Sequence, residues 1–326
     1  MSEGFNGCSG TIVFDASVII ATFRRPRLLQ AALASVLSQR NLTSSVEVLV
    51  VDNDPDRSAE PLVYELASSA RLPLRYVSEP RPGISHARNA GVAAANGRYI
   101  VFLDDDEVAE REWLANLLST ARHYEADIVV GPVRPQYPDG AAVPRYAQQI
   151  YDKDARVPTG NPVRWTCIAN ALLLRERCLA AAAPFDPKLG LSGGEDSFLF
   201  GRLREQGRQC IWCAEAVVSE TIPVEKLRPA YLLRRAFRGG QTTTYIPSAL
   251  ARPQWPAVLR WMIIGLGQIC IYGPVGLVLR LSGRKEWLSF MAKAASGLGK
   301  LLWHPALHIR NYQLKVTPRS ASGAGW

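Results

Sequence analysis

Several signals that mark common classes of protein are missing from this sequence. No run of lysines and arginines is interleaved with aromatic residues, which argues against a dedicated nucleic-acid-binding module. Six cysteines in 326 residues do not make a disulfide framework. Residues 1–15 contain acidic residues and only a short apolar patch, unlike a secretory signal peptide. We therefore expect a cytoplasmic protein with reduced thiols.

The composition provides enough apolar sequence for a sizeable core. Of all residues, 48% are hydrophobic and 21% are charged, which fits one large domain or one domain with an appendage. The formal net charge is +9. An excess of positive charge favours an anionic partner, such as a phosphorylated small molecule or an acidic membrane surface.

Strand and helix patterns alternate through the first third of the chain. Short apolar runs rich in β-branched residues predict strands, and apolar residues at helical spacing predict the helices between them. The predicted strands lie at 16–20, 46–54, 72–80 and 98–106, and the predicted helices at 28–37, 61–70 and 83–97. This order is typical of a doubly wound α/β sheet, with helices on both faces.

Acidic residues follow two of these strands. Asp52 ends one strand, and Asp104, Asp105 and Asp106 end another. Such sheets bind ligands at the carboxyl ends of their strands. Carboxylates suit Mg²⁺ or Mn²⁺, which in turn bind phosphate oxygens, so a cation carrying a diphosphate is one interpretation. A solvated acidic turn is the alternative that the triplet alone leaves open.

Beyond residue 130 the pattern is less regular. The segment "FDPKLGLSGGEDSFLFGRLREQG" predicts a glycine-bearing loop and a helix that begins near Glu195 and stops at Gly207. Gly193 and Gly194 would let the backbone bend closely around a ligand, although a loop before a helix explains them as well. The segment "RQCIWCAEAVVSE" alternates like a single strand.

The tail carries a long uncharged stretch. Residues 261–279 lack any charged side chain, and a helix of this length would be about 28 Å long. Such a helix would be weakened or kinked by Pro274 and by four glycines, namely Gly265, Gly267, Gly273 and Gly276. The stretch predicts a buried helical hairpin or, as we favour, a re-entrant or interfacial membrane segment; a simple single span is disfavoured. Basic residues that could attract anionic head groups precede it, namely Arg228, Arg234, Arg235 and Arg238.

Four of these segments together resemble the family 2 glycosyltransferases, which have the GT-A fold. The matching segments are "SVIIATFRRPRLLQAALASVLSQ", "VEVLVVDND", "PRPGISHARNAGVAAANGRYIVFLDDD" and the acidic loop before the helix at Glu195. The resemblance implies a glycosyltransferase domain at 15–225, with a nucleotide-binding half at 15–130 and an acceptor half at 131–225. It leaves an N-terminal tail at 1–14 and a basic, hydrophobic, membrane-associating helical region at 226–326.

For the donor side, the resemblance implies a nucleotide-diphosphate sugar. Thr22 and Asp52 would lie at the nucleobase and ribose, and Arg88 would steady the nucleotide. Asp104 and Asp105 would lie near the ribose and phosphates.

The resemblance also implies a DXD motif that holds Mg²⁺ or Mn²⁺. Asp106 would be the direct metal ligand, with Asp104 as a second. Arg235 and Arg238 would neutralise the leaving diphosphate.

For the acceptor side, the resemblance implies that Asp196 is the general base that deprotonates a sugar hydroxyl, with Glu195 as a helper or as the base itself. The Gln-x-x-Arg-Trp motif of many processive members is not found, which favours transfer of one sugar over polymerisation. The acceptor would be a saccharide or a lipid-linked saccharide in surface polysaccharide synthesis, at the inner face of the cell membrane. Direct in-line attack would invert the anomeric centre.

Two other functions stay open on the sequence alone. A nucleotidyltransferase also uses an α/β sheet and carboxylate-held magnesium, but it should carry a glycine-rich loop after the first strand, where "ATFRRP" has no glycine. A non-catalytic sugar-binding scaffold at the membrane would not need both the triple Asp and Asp196.

Other residues that could bear chemistry have simpler interpretations. Cys210 and Cys213 form a CxxC without a second pair, so we expect packed core thiols rather than a zinc site. His304 and His308 are four residues apart, but Pro305 lies between them and no HExxH pattern occurs. The pair Arg24–Arg25 could contact phosphates or be solvated.

Overall fold

The computed structural model describes residues 13–165 and 167–309. Within them are eleven strands: β1 (Phe14–Thr22), β2 (Val46–Asp52), β3 (Leu74–Ser78), β4 (Gly97–Asp104), β5 (Glu107–Ala109), β6 (Ile128–Val130), β7 (Val133–Gln136), β8 (Pro162–Val163), β9 (Ala171–Leu174), β10 (Cys210–Trp212) and β11 (Val218–Thr221). The helices are α1 (Pro26–Leu37), α2 (Glu60–Ala67), α3 (Ile84–Ala94), α4 (Trp113–His123), α5 (Arg145–Tyr151), α6 (Arg175–Cys178), α7 (Glu195–Glu205), α8 (Pro229–Ala249), α9 (Trp255–Leu281) and α10 (Trp287–Leu301).

Four parallel strands in the order β3-β2-β1-β4 form one half of the main sheet. Side chains of β1 alternate between the two faces. Val18 and Ile20 pack in the layer that contains α1 and α4, and Ile19 packs in the layer that contains α3 and α7. Because both faces are covered, β1, β2 and β4 are nearly continuous apolar runs, whereas β3 at the sheet edge is only partly buried. The predicted doubly wound α/β sheet is confirmed.

The other half of the main sheet is mixed. Strand β9 runs antiparallel to both β4 and β6, and β10 and β8 complete the order β4-β9-β6-β10-β8. A second sheet, in the order β5-β11-β7, lies next to it. The prediction of a single strand over 208–220 is wrong, because a turn at Cys213–Ala216 sends β10 and β11 into different sheets.

Helix α3 is shorter than predicted. It ends at Ala94, three residues before the predicted end at Gly97, and Gly97 is the first residue of β4. A Cβ atom at Gly97 would lie 2.4 Å from the backbone nitrogen of Ser17. Glycine is therefore needed there for the close approach of β4 to β1.

Three long helices follow the sheets. Helix α9 is uninterrupted over 27 residues, so the predicted weakening at its glycines and Pro274 does not end it. Among the described residues, α9 is the one helix that is long and apolar enough to cross a membrane. It is mostly exposed, which rules out the buried hairpin as an account of residues 261–279. The predicted tail at 1–14 and the segment 310–326 lie almost wholly outside the described residues.

Candidate active site

The ends of three parallel strands meet at one edge of the main sheet. Thr22 of β1 pairs in register with Asp52 of β2, and Ala21 of β1 pairs with Asp104 of β4. Parallel strands place their carboxyl ends at the same edge, which is where open α/β sheets bind ligands. The structure thus brings Thr22, Asp52 and the triple Asp together.

Asp52 is fully buried and holds the loop that follows β2. Its carboxylate accepts hydrogen bonds from the backbone nitrogens of Asp54 (3.0 Å) and Ala59 (2.8 Å) and from the Tyr76 hydroxyl (3.2 Å). Burial raises the pKa of Asp52, while these hydrogen bonds favour its ionised form. Asp52 is therefore a positioning residue in this structure, and its predicted contact with a nucleobase stays a prediction.

The triple Asp is paired with basic side chains of the protein itself. Asp105 accepts hydrogen bonds from the Thr22 hydroxyl (2.8 Å) and from Arg25 Nη1 (3.1 Å). Asp106 accepts one from Lys226 Nζ at 3.1 Å and lies 3.5 Å from Arg25 Nη1. Burial raises the pKa of Asp105 to about 6. Arg25 is therefore half-exposed and paired with the acidic motif, and its contact with phosphates stays a prediction.

Arg88 joins the two sides of the site. From α3, its Nη1 donates to Glu195 Oε1 at 2.5 Å, and its Nη2 lies 3.4 Å from Asp104 Oδ1. The guanidinium is buried and lies 5.7 Å from the ring centre of Phe185. The predicted contact of Arg88 with a nucleotide is not tested by this geometry. One side chain therefore links the end of β4 to the start of α7.

The acidic loop places two carboxylates at the start of α7, as predicted. Gly193 and Gly194 have φ angles of +81° and +96°, in the left-handed region that glycine tolerates, and α7 begins directly after them. Glu195 is buried, and its Oε2 has no hydrogen-bond partner among the described residues. Burial, together with the neighbouring Asp196 charge, raises the pKa of Glu195 to about 7. Asp196 is half-buried and more accessible.

A second group of charged residues escaped the sequence analysis. Lys226 Nζ lies 3.4 Å from Glu220 Oε1, and Lys153 Nζ lies 3.3 Å from Glu220 Oε2. Glu107 is buried beside Asp104, and burial raises its pKa well above the ordinary value. Lys153, Glu220 and Lys226 come from separate elements and share no spacing or motif, so no local signal could have found them. Glu107, by contrast, directly follows the triple Asp in the sequence.

The two arginines predicted at the diphosphate both lie on α8. The Arg235 guanidinium is 5.0 Å from the ring centre of Tyr151. Arg238 follows it by one turn and is partly buried. The structure shows how α8 holds Arg235 against the body of the protein, and the diphosphate contact stays a prediction for both.

The carboxylates fit a divalent cation only with ligands from outside the protein. No group of three His, Cys, Asp or Glu side chains within 13–165 and 167–309 is arranged to hold a metal ion. Asp104 and Asp106 offer hard oxygen ligands, and Mg²⁺ is often bound by one or two carboxylates together with phosphates and water. Asp106 could therefore hold such a cation if Lys226 and Arg25 gave up part of their contact with it.

The cysteine and histidine pairs take no part in this site. Cys210 and Cys213 are buried thiols, and burial raises the pKa of Cys210 to about 12. Cys213 accepts a hydrogen bond from the Thr120 hydroxyl, as expected for a core residue. His308 contacts the backbone oxygen of Trp303, whereas His304 accepts from the nitrogen of Ala306.

The sequence and the fold both match known glycosyltransferases. Residues 17–179 match the family described as Glycosyl transferase family 2. The succinoglycan biosynthesis protein ExoM of Rhizobium meliloti (strain 1021) is 34% identical over 224 residues, which are 68% of this chain and 72% of ExoM. The chain therefore belongs to glycosyltransferase family 2, and it is a glycosyltransferase rather than a nucleotidyltransferase or a scaffold.

One further relative and one solved structure are also similar to the chain. Glycosyltransferase AglE of Haloferax volcanii is 26% identical over 254 residues, which are 76% of this chain and 80% of AglE. The crystal structure of residues 1–349 of S. aureus TarS in complex with UDP aligns with a TM-score of 0.52 at 15% identity, over 87% of this chain and 89% of that fragment. The predicted GT-A fold is confirmed by this similarity.

Proposed function

We propose that the protein transfers one sugar, with inversion, from a nucleotide-diphosphate sugar to a hydroxyl of a saccharide or lipid-linked saccharide. The proposal includes a divalent cation, Mg²⁺ or Mn²⁺, and a role in making an exopolysaccharide at the inner face of the cell membrane. The similarity to ExoM, which is named for succinoglycan biosynthesis, supports the polysaccharide pathway. TarS, which shares the fold, was crystallised with UDP and with UDP-GlcNAc, which supports a nucleotide-sugar donor.

The observation that carries this proposal is the bridge made by Arg88. Sugar transfer needs a group that holds the donor and a base that activates the acceptor, within one site. Arg88 contacts Asp104 at the sheet edge and Glu195 at the start of α7. Asp104 and Glu195 thus lie within reach of one guanidinium, which supports a single site for donor and acceptor.

On the donor side, Thr22, Asp104 and Asp105 would line the ribose and phosphates, and Asp52 would keep the loop after β2 in place beneath the nucleobase. Asp106, with Asp104, would hold the divalent cation, which supplies positive charge for the diphosphate as it leaves. Arg235 and Arg238 would add positive charge from α8. Arg25 already lies beside Asp105 and Asp106 and would face the same phosphates.

On the acceptor side, Asp196 is the better candidate for the base. Glu195 is buried and bonded to Arg88, whereas Asp196 is more accessible. The acceptor oxygen would form a bond to the anomeric carbon while the bond from that carbon to the diphosphate breaks. The proton of the acceptor hydroxyl passes to Asp196, and the electron pair of the broken bond leaves with the diphosphate. Attack opposite the leaving group inverts the anomeric centre.

The test separates donor binding from transfer. We would first screen nucleotide diphosphates and nucleotide sugars with Mn²⁺ by thermal shift, since a ligand that binds the folded state raises its melting temperature. Asp196→Asn should keep the donor-induced shift and lose at least about 100-fold of the transfer rate. Asp139→Asn, at an exposed loop position, is the matched control and should keep full activity. Full transfer activity in Asp196→Asn would remove this residue from the mechanism.

We also infer that the helical tail associates with the membrane. Helix α9 is long, apolar and mostly exposed. Large apolar surfaces of this kind are rare on soluble monomers and mark binding sites for proteins or membranes. Fractionation tests this inference: complete release of the protein from membranes by high salt would exclude an inserted segment.

A further inference from the structure

Helix α9 has one face that is apolar and exposed along its whole length. This outer face is formed by residues at helical spacing: Leu259, Ile263, Leu266, Cys270, Leu277 and Leu281. From Leu259 to Leu281 it extends for about 33 Å. Burying this face would remove a large apolar area from water, which is strongly favourable.

The opposite face of α9 is packed against α10 by glycines. A Cβ atom on Gly265 would lie 2.7 Å from the Gly297 oxygen, and one on Gly297 would lie 2.5 Å from the Gly265 oxygen. The far side of α10 packs in the same way against α8, where Gly240 meets Ser296. The three helices therefore form a layer with α9 outermost, and α8 and α10 separate it from the catalytic domain.

This packing is unsuited to a helix that crosses a membrane. Lys300 of α10 is buried against α9, where its Nζ donates to Gln268 Oε1 at 2.9 Å, near the centre of the uncharged stretch. If α9 crossed the membrane, Lys300 and the helices behind it would enter the hydrocarbon core. A charged side chain at that depth is costly.

The charges at the two ends of α9 indicate how it lies. Basic side chains are exposed before and after the helix and in its second and last turns: Arg252, Arg260, Arg280, Arg284 and Lys285. A crossing helix normally has its basic residues concentrated on the cytoplasmic side. A helix that lies along the surface can place both of its ends at anionic head groups, which attract basic side chains near the surface.

We propose that α9 lies in the plane of an anionic membrane, with its outer face in one leaflet and its basic ends at the head groups. The proposal rests on the membrane association inferred above and specifies its geometry. It also links the membrane to the active site, because Thr242 of α8 packs against Gly194, directly before Glu195. The layer of α8 and α10 then lies between the lipid surface and the site and fixes how the site is oriented towards the membrane.

The geometry can be tested by measuring depth along the helix. Cys270 lies on the outer face and can carry a nitroxide label in the full-length protein. Ile263→Cys and Leu277→Cys, each made with Cys270→Ala, place the label about 11 Å to either side along the helix. The Cys270→Ala variant without a new cysteine is the control, and its signal measures labelling at the other cysteines. On vesicles of phosphatidylcholine and phosphatidylglycerol, power-saturation EPR should give similar depths of about 5–10 Å at all three positions.

A profile in which position 270 is deepest, near the bilayer centre, would mean that α9 crosses the membrane and would overturn the proposal. Labels that stay in water would overturn it as well. A second measurement is vesicle sedimentation, in which Ile263→Glu should weaken binding at least tenfold. Tyr64→Glu is the matched control, because Tyr64 is 61% exposed on α2 and Ile263 is 63% exposed on α9.

The Ile263→Glu variant also tests whether the outer face binds a second copy of the chain instead of lipid. If a second copy of the chain covers it, the lipid-free protein is a dimer, Ile263→Glu makes it a monomer, and the proposal fails. The donor-induced thermal shift should be unchanged in Ile263→Glu. Loss of the thermal shift would contradict the proposed glycosyltransferase site. A depth profile other than the expected one would contradict only the proposed membrane geometry.

Discussion

Replacing Arg88 by leucine would remove the cation that Glu195 and Asp104 share. Breaking a buried ion pair by deleting one partner costs about 3–5 kcal/mol, because the remaining charge is left uncompensated. Glu195 is buried together with Arg88, whereas the Asp104 side chain is 41% exposed, so solvent screens its contact. We therefore expect most of the loss in the free energy of unfolding to come from Glu195.

The loss should depend on pH in a defined direction. The pKa of Glu195 is raised to about 7 in the folded protein, and removing the guanidinium raises it further. At pH 5.5 Glu195 is protonated in both folded proteins, so the cation matters least there. Above pH 7 the folded variant retains a proton that the folded wild type has lost, and its relative stability falls by about 1.4 kcal/mol per pH unit. Between pH 7 and 8.5 this amounts to about 2 kcal/mol.

Urea unfolding followed by tryptophan fluorescence at pH 5.5, 7.0 and 8.5 measures this difference. Arg122→Leu is the control, since it removes a surface contact with Asp15, whose pKa is lowered by hydrogen bonds from Ser45 and so lies below the tested range. The control should show no trend between pH 5.5 and 8.5. A loss of stability in Arg88→Leu that is constant with pH, or largest at pH 5.5, would refute the reasoning.

Three other variants test the packing and charge around the site. Asp52→Ala leaves two buried backbone donors and the Tyr76 hydroxyl without their acceptor, so we expect a loss of about 3 kcal/mol or more in urea unfolding. Lys226→Met removes a cation from Asp106 and should strengthen Mn²⁺ binding about tenfold in calorimetry with UDP, since less charge competes for the carboxylate. Gly240→Ala places a Cβ atom 2.0 Å from the Ser296 oxygen and should destabilise the protein by about 1–3 kcal/mol.

Each of these variants has a contrasting outcome. Unchanged stability in Asp52→Ala would mean that the loop after β2 is held by other contacts. Weaker Mn²⁺ binding in Lys226→Met would mean that Lys226 supports the cation site rather than competing with it, and Lys285→Met, at an exposed position, serves as its control. Gly239→Ala is the control for Gly240→Ala, because a Cβ atom there has open space, and alanine should stabilise the helix by about 1 kcal/mol.

The class of fold could be predicted because its signals are local. Strands β1, β2 and β4 are runs of mostly buried apolar residues, and α1 and α3 carry their apolar residues at helical spacing, so neighbouring residues alone specify these elements. The position of Asp52 and the triple Asp at one sheet edge follows from the parallel order of the strands. Likewise, the paired glycines before Glu195 predicted where α7 begins.

The pairing of charges within the site was decided only by the tertiary structure. Arg25, Arg88 and Lys226 lie far apart in the sequence and meet the acidic motif only after the chain has folded. The split of residues 208–220 between two sheets also depends on which strand each half can pair with. Side-chain periodicity records whether a segment is buried, and it carries no information on its partners.

The uncharged stretch shows the same division in a single element. The composition of residues 261–279 predicted an apolar helix, and their glycines predicted that this helix would be weak. Helix propensity describes an isolated helix and takes no account of the helices that pack against it. In the folded protein Gly265 and Gly276 allow α10 to approach closely, whereas a Cβ atom at Gly267 or Gly273 would have open space. Apolar residues between them, such as Leu266 and Ile271, face outward. Which face of a helix is covered depends on what packs beside it, and that is a property of the whole chain rather than of the segment.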